Sequence, residues 1–304
     1  MAYAQNILPD RKLEMRVFLT GLMLVIIGVI LTLLLMTAGV GFGFITLILF
    51  GLLFLQYWFS DQIALFAMGA KEVSPFDAPQ LHALVDQLCL LAEMPKPRVA
   101  IADVDMANAF AAGRSSKASV ICVTRGLQNQ LTDQELKAVL SHELAHIAHR
   151  DIAVMTLASS VGILAGLLTR VTLWNSLAPR KGSNRNSPPE AFIMFVAIAF
   201  YAISFLLIRA LSRYREFAAD RSGAILIGEP SLLASALIKI SGEITKNSEN
   251  DVRTSEPFNA FFFTPTFSGE KGMSLARLFS THPPLADRLA QLKTIEVEMG
   301  ISSR

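Results

Sequence analysis

The chain has 304 residues, with 27 Lys and Arg against 25 Asp and Glu, a net charge of +2. A balance so near neutral, with no basic tract carrying interleaved aromatics, excludes a nucleic-acid footprint. Apolar residues make up 52% and charged residues 17%, against about 25% charged in a soluble domain, so the deficit points to lipid-facing surface. Residues 1–16 form a polar tail with Arg11, Lys12 and Arg16, and no charge follows until Asp61. That run is too long for a signal-peptide core and long enough for two spans of about 20 residues. The spans are read as 17–36 and 44–59, turned by the glycine-rich stretch 37–43, with Tyr57 and Trp58 at a membrane interface. Positive charge beside the first span favours a cytoplasmic N-terminus, and two crossings return the chain to that side.

Residues 60–151 read as the first part of a cytoplasmic α+β unit. Leu81, Leu84, Val85, Leu88 and Leu91 form one stripe of a helix over 77–94, stopped by Pro95 and Pro97. Cys89 in it and Cys122 beyond it are the only cysteines, read as reduced structural thiols. Short strands are expected over 98–102, 107–111 and 119–124 in a small antiparallel sheet, with Gly113 and the turn 114–117 between the last two. Thr132 followed by Glu135 is a capping box that starts a helix, with no Gly or Pro until Gly162. Two further uncharged stretches, 152–169 and 191–208, flank a polar loop at 175–189 and read as a second membrane hairpin. Arg170, Arg180, Lys181 and Arg185 would then lie on the outer side, against the positive-inside tendency, so partly embedded helices stay open as the alternative. Gly162 and Gly166 form a GxxxG pair that could seat a neighbouring helix. Residues 209–304 return to the polar side as the second part of the unit. They hold helices over 232–244 and 285–299 around an irregular segment, 245–275, with an apolar patch at Phe261, Phe262 and Phe263.

The chemistry is concentrated in His142-Glu143-Leu144-Ala145-His146. On a helix, residues four apart share a face, so both histidines can offer a ring nitrogen to one zinc ion. Glu143 can reach a water on that ion without ligating it, as general base and then proton donor to the leaving amine. A catalytic zinc takes three protein ligands and keeps one position open. The position six residues after His146 is Ile152, so a third histidine is absent there, and His149 is poorly placed on a straight helix and reads as interfacial. The best third ligand is Glu216, in Arg215-Glu216-Phe217-Ala218-Ala219-Asp220. No Gly or Pro interrupts 191–222, so Glu216 stands on a helix running out of the fourth apolar stretch. Asp220, one turn later, could accept the second ring N–H of a zinc-binding histidine and fix its tautomer. At 1.5 Å per residue, His142 and His146 stand about 15 and 9 Å before Ile152, and Glu216 about 12 Å after Ile208. Two helices leaving the membrane together would bring the three to one level.

The HExxH segment running directly into a hydrophobic stretch, Glu216 to Arg221, Asn108-Ala109-Phe110-Ala111 and Thr281-His282-Pro283-Pro284-Leu285 together resemble the M48 family of membrane zinc peptidases, in order and over nearly the whole chain. The resemblance implies a gluzincin-like catalytic domain with one zinc held by His142, His146 and Glu216, and Asp220 behind them. It implies an edge strand at Asn108 that holds substrate backbone by strand addition, and His282 near the site, contacting the tetrahedral intermediate or orienting its neighbours. It also implies quality-control cleavage of misfolded or damaged membrane proteins at the cytoplasmic face of the bacterial inner membrane. Two other readings stand beside it: a protease of prenylated proteins from the same family, disfavoured by the short chain, and a zinc-binding membrane scaffold without turnover, disfavoured by Glu143. Neither substrate identity nor oligomeric state follows from the residues.

Overall fold

The computed structural model describes residues 11–37, 39–177, 190–251 and 283–301. Helix α1 (Arg11–Thr37) and helix α2 (Phe42–Trp58) form the first apolar pair. Gly39 turns between them at φ +88°, a conformation glycine takes without steric cost. A bend of 64° leads from α2 into α3 (Ser60–Ala67), so the chain leaves the apolar pair through a further short helix. Strand β1 (Lys71–Glu72) and helix α4 (Pro79–Leu91) follow, the helix opened by proline at its first position.

Strands β2 (Arg98–Ala102), β3 (Ala109–Ser115) and β4 (Ala118–Thr124) complete one sheet in the order β1-β2-β4-β3. It is mixed, not antiparallel as expected, because β2 and β4 run parallel while β1 and β3 run antiparallel to their neighbours. The outer strand β3 forms first along the chain, and β4 then turns back between it and β2. The apolar run Val120-Ile121-Cys122-Val123 is buried throughout, as a central strand covered on both faces requires. Gly113 lies inside β3 rather than between strands: its φ is +128°, and a Cβ there would stand 2.2 Å from the Ala118 carbonyl oxygen.

Helix α5 (Arg125–Gln130) precedes α6 (Asp133–Ala148), which carries the HExxH segment. The helix does not run on into the next apolar stretch. It breaks at His149 and Arg150, where Arg150 takes φ +56°, and α7 (Asp151–Leu177) begins anew. Counting height through one straight helix therefore fails on this side of the site. Helix α8 (Glu190–Ile227) is uninterrupted, as expected, over 38 residues. Helix α9 (Pro230–Asp251) extends past the expected end, so 245–251 are helical rather than irregular. The rest of that segment, with the phenylalanine patch and His282, lies outside the described residues. Helix α10 (Leu285–Glu298) closes the chain.

Two cores result. One packs α4, α6, α9 and α10 against one face of the sheet, through Leu88, Ile121, Leu140, Leu144, Leu237 and Leu292. The other joins α1, α7 and α8 through Leu31, Leu35, Val161, Leu168 and Leu211. Among the described residues two helical segments are long and apolar enough to cross a membrane, Phe18–Thr37 and Asp151–Trp174, and α2 with α3 would make a third as one bent span. The stretch 191–208 runs along α8, where several side chains lie outside the described ones. Phe18, Val25, Phe50, Leu157 and Trp174 on these helices are exposed, an apolar surface of the kind that lipid covers. Among the described residues the glycine pair seats no helix: a Cβ at Gly162 or Gly166 would meet nothing within 4 Å, whereas one at Gly28 of α1 would touch Val161 and Leu164. Cys89 and Cys122 are both buried and free.

Candidate metal centre

Helix α6 is held at its start and crowded at its middle. The Thr132 hydroxyl accepts from the Glu135 N–H at 3.3 Å while the Glu135 carboxylate accepts from the Thr132 N–H at 2.9 Å, the two halves of a capping box. Lys239 and Ser235 of α9 each donate to Glu135 at 2.7 Å. Burial raises the Glu135 carboxyl, but these donors outweigh it and hold the group at about 2.

At His142 the helix meets α8 backbone to backbone. Ser141 Oγ donates to the Gly223 carbonyl at 3.1 Å, and a Cβ at Gly223 would lie 2.9 Å from the His142 nitrogen. This approach, possible only for glycine, brings Glu216 opposite the two histidines. His142 Nε2 and His146 Nε2 are 3.0 Å apart, and the Glu216 oxygens stand 3.6 and 3.5 Å from them. A tetrahedral zinc with donors at about 2.0–2.2 Å separates them by about 3.3–3.6 Å. The nitrogen–carboxylate spacings match that range, each to a different Glu216 oxygen, and the nitrogen pair is slightly closer than it, so the three residues offer donors for such an ion with one corner left over. Among the described residues this is the one group of three or more potential ligands within reach of one another.

Each imidazole has a carboxylate behind it, and each carboxylate an arginine. His142 Nδ1 lies 2.8 Å from Asp220 Oδ1, and Arg288 of α10 grips Asp220 with two donors at 2.7 and 2.6 Å. His146 Nδ1 lies 2.5 Å from Asp151 Oδ2, and Asp151 pairs with Arg215 of α8. With Nδ1 of each ring beside a carboxylate, Nε2 faces Glu216 and is the atom that could bind a metal. Burial pushes His142 down to about 4 despite Asp220. Burial also presses on His146, but Glu216 and Glu143 outweigh it and leave that ring raised.

Glu143 is buried, and burial pushes its carboxyl up to about 7; Glu216 adds to the rise, while His146 and a hydrogen bond from the Ala111 N–H oppose it. Ala111 belongs to β3, the outer strand, whose other edge carries no strand among the described residues. Thr124 N–H donates to the Asn108 carbonyl at 2.9 Å. By antiparallel alternation Ala109, Ala111 and Gly113 therefore aim their backbone groups outward. The open edge thus runs alongside Glu143. Asn108 itself precedes β3, fully buried, its backbone N–H bonded to Thr124 Oγ1 at 2.9 Å. His149 is not with the metal group: it is half-buried against α8, its Nε2 3.1 Å from Ser222 Oγ.

Sequence reasoning missed Asp151, Arg215, Gly223 and Arg288. A signal existed for the last: Arg288 falls on the stripe of Leu285, Leu292 and Ile295, and a charge on an apolar stripe needs a buried partner. Asp151 offered none, because a left-handed arginine leaves no mark in the pattern of apolar residues.

Sequence comparison accounts for this geometry. The profile of Peptidase family M48 matches residues 75–296. The chain belongs to peptidase family M48. "Protease HtpX homolog 1" of Streptomyces coelicolor is 47% identical over 96% of this chain and 95% of its own. "Protease HtpX homolog" of Moorella thermoacetica is 46% identical over 95% of this chain and 96% of its own, and "Protease HtpX homolog 2" of Methanosarcina acetivorans 46% over 81% and 82%. The fold is similar to the crystal structure of S. mikatae Ste24p, at a TM-score of 0.57 and 19% identity. That match covers 92% of this chain and 66% of that one, so this chain spans less than two thirds of that protein. Family membership and the long apolar helices support a membrane metallopeptidase.

Proposed function

We propose that the chain is a zinc endopeptidase of the plasma membrane, the inner membrane of a bacterium, that cuts misfolded or damaged membrane proteins at the cytoplasmic face. The observation that carries this is the three-donor group, His142, His146 and Glu216, set between a buried carboxyl and a strand edge that pairs with no other strand among the described residues. The site would be gluzincin-like, with one zinc per chain. Zinc, when bound, supplies a Lewis acid that polarises the scissile carbonyl and acidifies water. Glu143 takes the proton of the attacking water and passes it to the leaving amine, for which a pKa close to neutrality is suited. The backbone of Ala109 and the Ala111 carbonyl line up an extended substrate segment by strand addition, while the Ala111 N–H holds Glu143 and Asn108 anchors the start of that strand. Extended segments are what misfolded proteins expose, and strand addition reads backbone rather than side chains. By the family resemblance alone, His282, outside the described residues, would contact the tetrahedral intermediate or orient its neighbours.

The basic N-terminal tail argues for cytoplasmic orientation. His142 and Glu216 must share one side, which needs an even number of crossings between them; spans at 152–169 and 191–208 would provide two. Residues 17–59 would form the first hairpin, and 60–151 with 209–304 the two parts of the catalytic domain.

The test is to purify the full chain in detergent, strip it of metal, add zinc and follow cleavage of an unfolded membrane protein. Wild type is expected to cut it, Glu143→Gln to bind zinc and lose about 10²–10⁴-fold in rate, and Glu216→Ala to lose zinc. Equal cleavage by wild type and Glu143→Gln overturns the protease reading and leaves the zinc-binding scaffold. Cleavage confined to prenylated peptides would favour the other branch of the family.

A further inference from the structure

We infer that Asp151, clamped by Arg215, is the positioning residue for His146, so that the junction of two long apolar helices holds one of the metal ligands in place. The inference rests on the zinc reading above and extends it to residues that no motif contains.

The backbone is the first ground. Were α6 and α7 one helix, Asp151 would lie five residues after His146, about 140° around the axis and 7.5 Å along it. Its carboxylate would then point away from the ring. The chain instead passes through Arg150 at φ +56°, a left-handed conformation that crowds the Cβ of a non-glycine residue. The consequence of that turn is that Asp151 comes back beneath the ring, with Oδ2 at 2.5 Å from His146 Nδ1. Unfavourable backbone of this kind persists where the surroundings require it.

Burial and pairing are the second. Asp151 and Arg215 are both buried, at 7% and 8% exposed, and they form an ion pair. The Arg215 Nη2 also donates to the His149 carbonyl at 3.1 Å, satisfying one of the carbonyls that the broken end of α6 leaves over. Arg215 immediately precedes Glu216, so the contacts close a loop: His146 to Asp151 at the head of α7, Asp151 to Arg215 on α8, and α8 back to His146 through Glu216.

The third is need. The His142 side chain is 1% exposed and held by surrounding core, whereas that of His146 is 18% exposed. A ring with solvent on one side depends more on its hydrogen bond for both orientation and tautomer. Asp151 accepts from Nδ1–H and leaves Nε2 unprotonated toward Glu216.

The tautomer makes a sharp test possible. In Asp151→Asn the amide has the same shape, but Arg215 offers only donors. The amide oxygen therefore turns to Arg215 and the NH₂ to His146 Nδ1. That puts the ring proton on Nε2, where the metal must bind. The full chain in detergent is stripped of metal and titrated with zinc against a fluorescent chelator, and cobalt(II) replaces zinc for visible absorption. Asp151→Asn is expected to bind zinc about 10–100-fold more weakly and to shift the cobalt bands, with the far-UV circular dichroism of the metal-free protein as in wild type and a lowered but still cooperative melting transition that stays above the titration temperature. Asp86→Asn, on the surface of α4, should change none of these. Wild-type affinity with wild-type cobalt bands in Asp151→Asn overturns the inference, as does an affinity loss that merely tracks unfolding. Should Asp151→Asn fail to fold, Arg215→Lys decides: altered cobalt bands at saturating metal support the clamp, and unaltered bands overturn it. A wild type that binds no zinc overturns the zinc reading instead, a distinguishable result.

Discussion

The two histidines of the centre are one turn apart on one helix, yet they belong to different parts of the molecule. His142 faces inward: Gly223 presses on its backbone, Asp220 takes its ring, and Arg288 arrives from α10 to hold Asp220. His146 faces the junction where α6 gives way to α7, and Asp151 and Arg215, from the two long helices, hold it there. Both use a carboxylate and an arginine, but the first set is built into the core around the sheet and the second into the join with the apolar helices. The difference implies that damage on the His142 side is felt as lost stability, and damage on the His146 side as lost metal affinity.

Arg288→Met tests the first half most severely. It leaves Asp220 buried with its main counter-charge gone, and removing one partner of a buried pair costs about 3–5 kcal/mol. A large drop in melting temperature of the metal-free chain is expected, larger than for Asp151→Asn; the reverse order would break the comparison. Gly223→Ala should come next. Its Cβ would sit 2.9 Å from backbone that cannot swing aside, and forced overpacking costs about 1–3 kcal/mol. Because α8 must move off α6, zinc titration should show weakened binding as well. Gly162→Ala, with open space around it, should leave both measurements unchanged.

The smallest effect concerns the start of α6. Glu135 is held at about 2 against an ordinary 4.5, so its folded-state value is depressed. Such a group contributes stability that is present above about pH 4.5 and is lost as pH falls toward 2. Glu135→Gln should therefore melt below wild type at pH 7, by roughly 1 kcal/mol as for a lost cap, and the gap should narrow at pH 3. A gap that is constant with pH would mean that the charge contributes nothing.

Much of the centre was legible because it is local. A capping box, two histidines four apart and a glutamate before Asp220 on an uninterrupted helix are patterns that short-range geometry enforces. The buried Arg288 was legible in principle, as a charge on an apolar stripe. The parallel pairing of β2 with β4 was not, since either strand taken alone has the same pattern in both arrangements. Nor was the end of α6: Arg150 is neither glycine nor proline, and nothing in its neighbours announces a left-handed residue.

The sequence by itself determined the helices, the apolar stretches and three donors able to share an ion, because periodicity and spacing act over one or two turns. Tertiary structure alone decided which carboxylates stand behind the imidazoles. That choice depends on a glycine contact between α6 and α8, on an arginine from α10, and on one strained residue that folds Asp151 back toward His146. Each is a meeting of segments far apart in the chain or a break in its regular course, and periodicity carries no information about either.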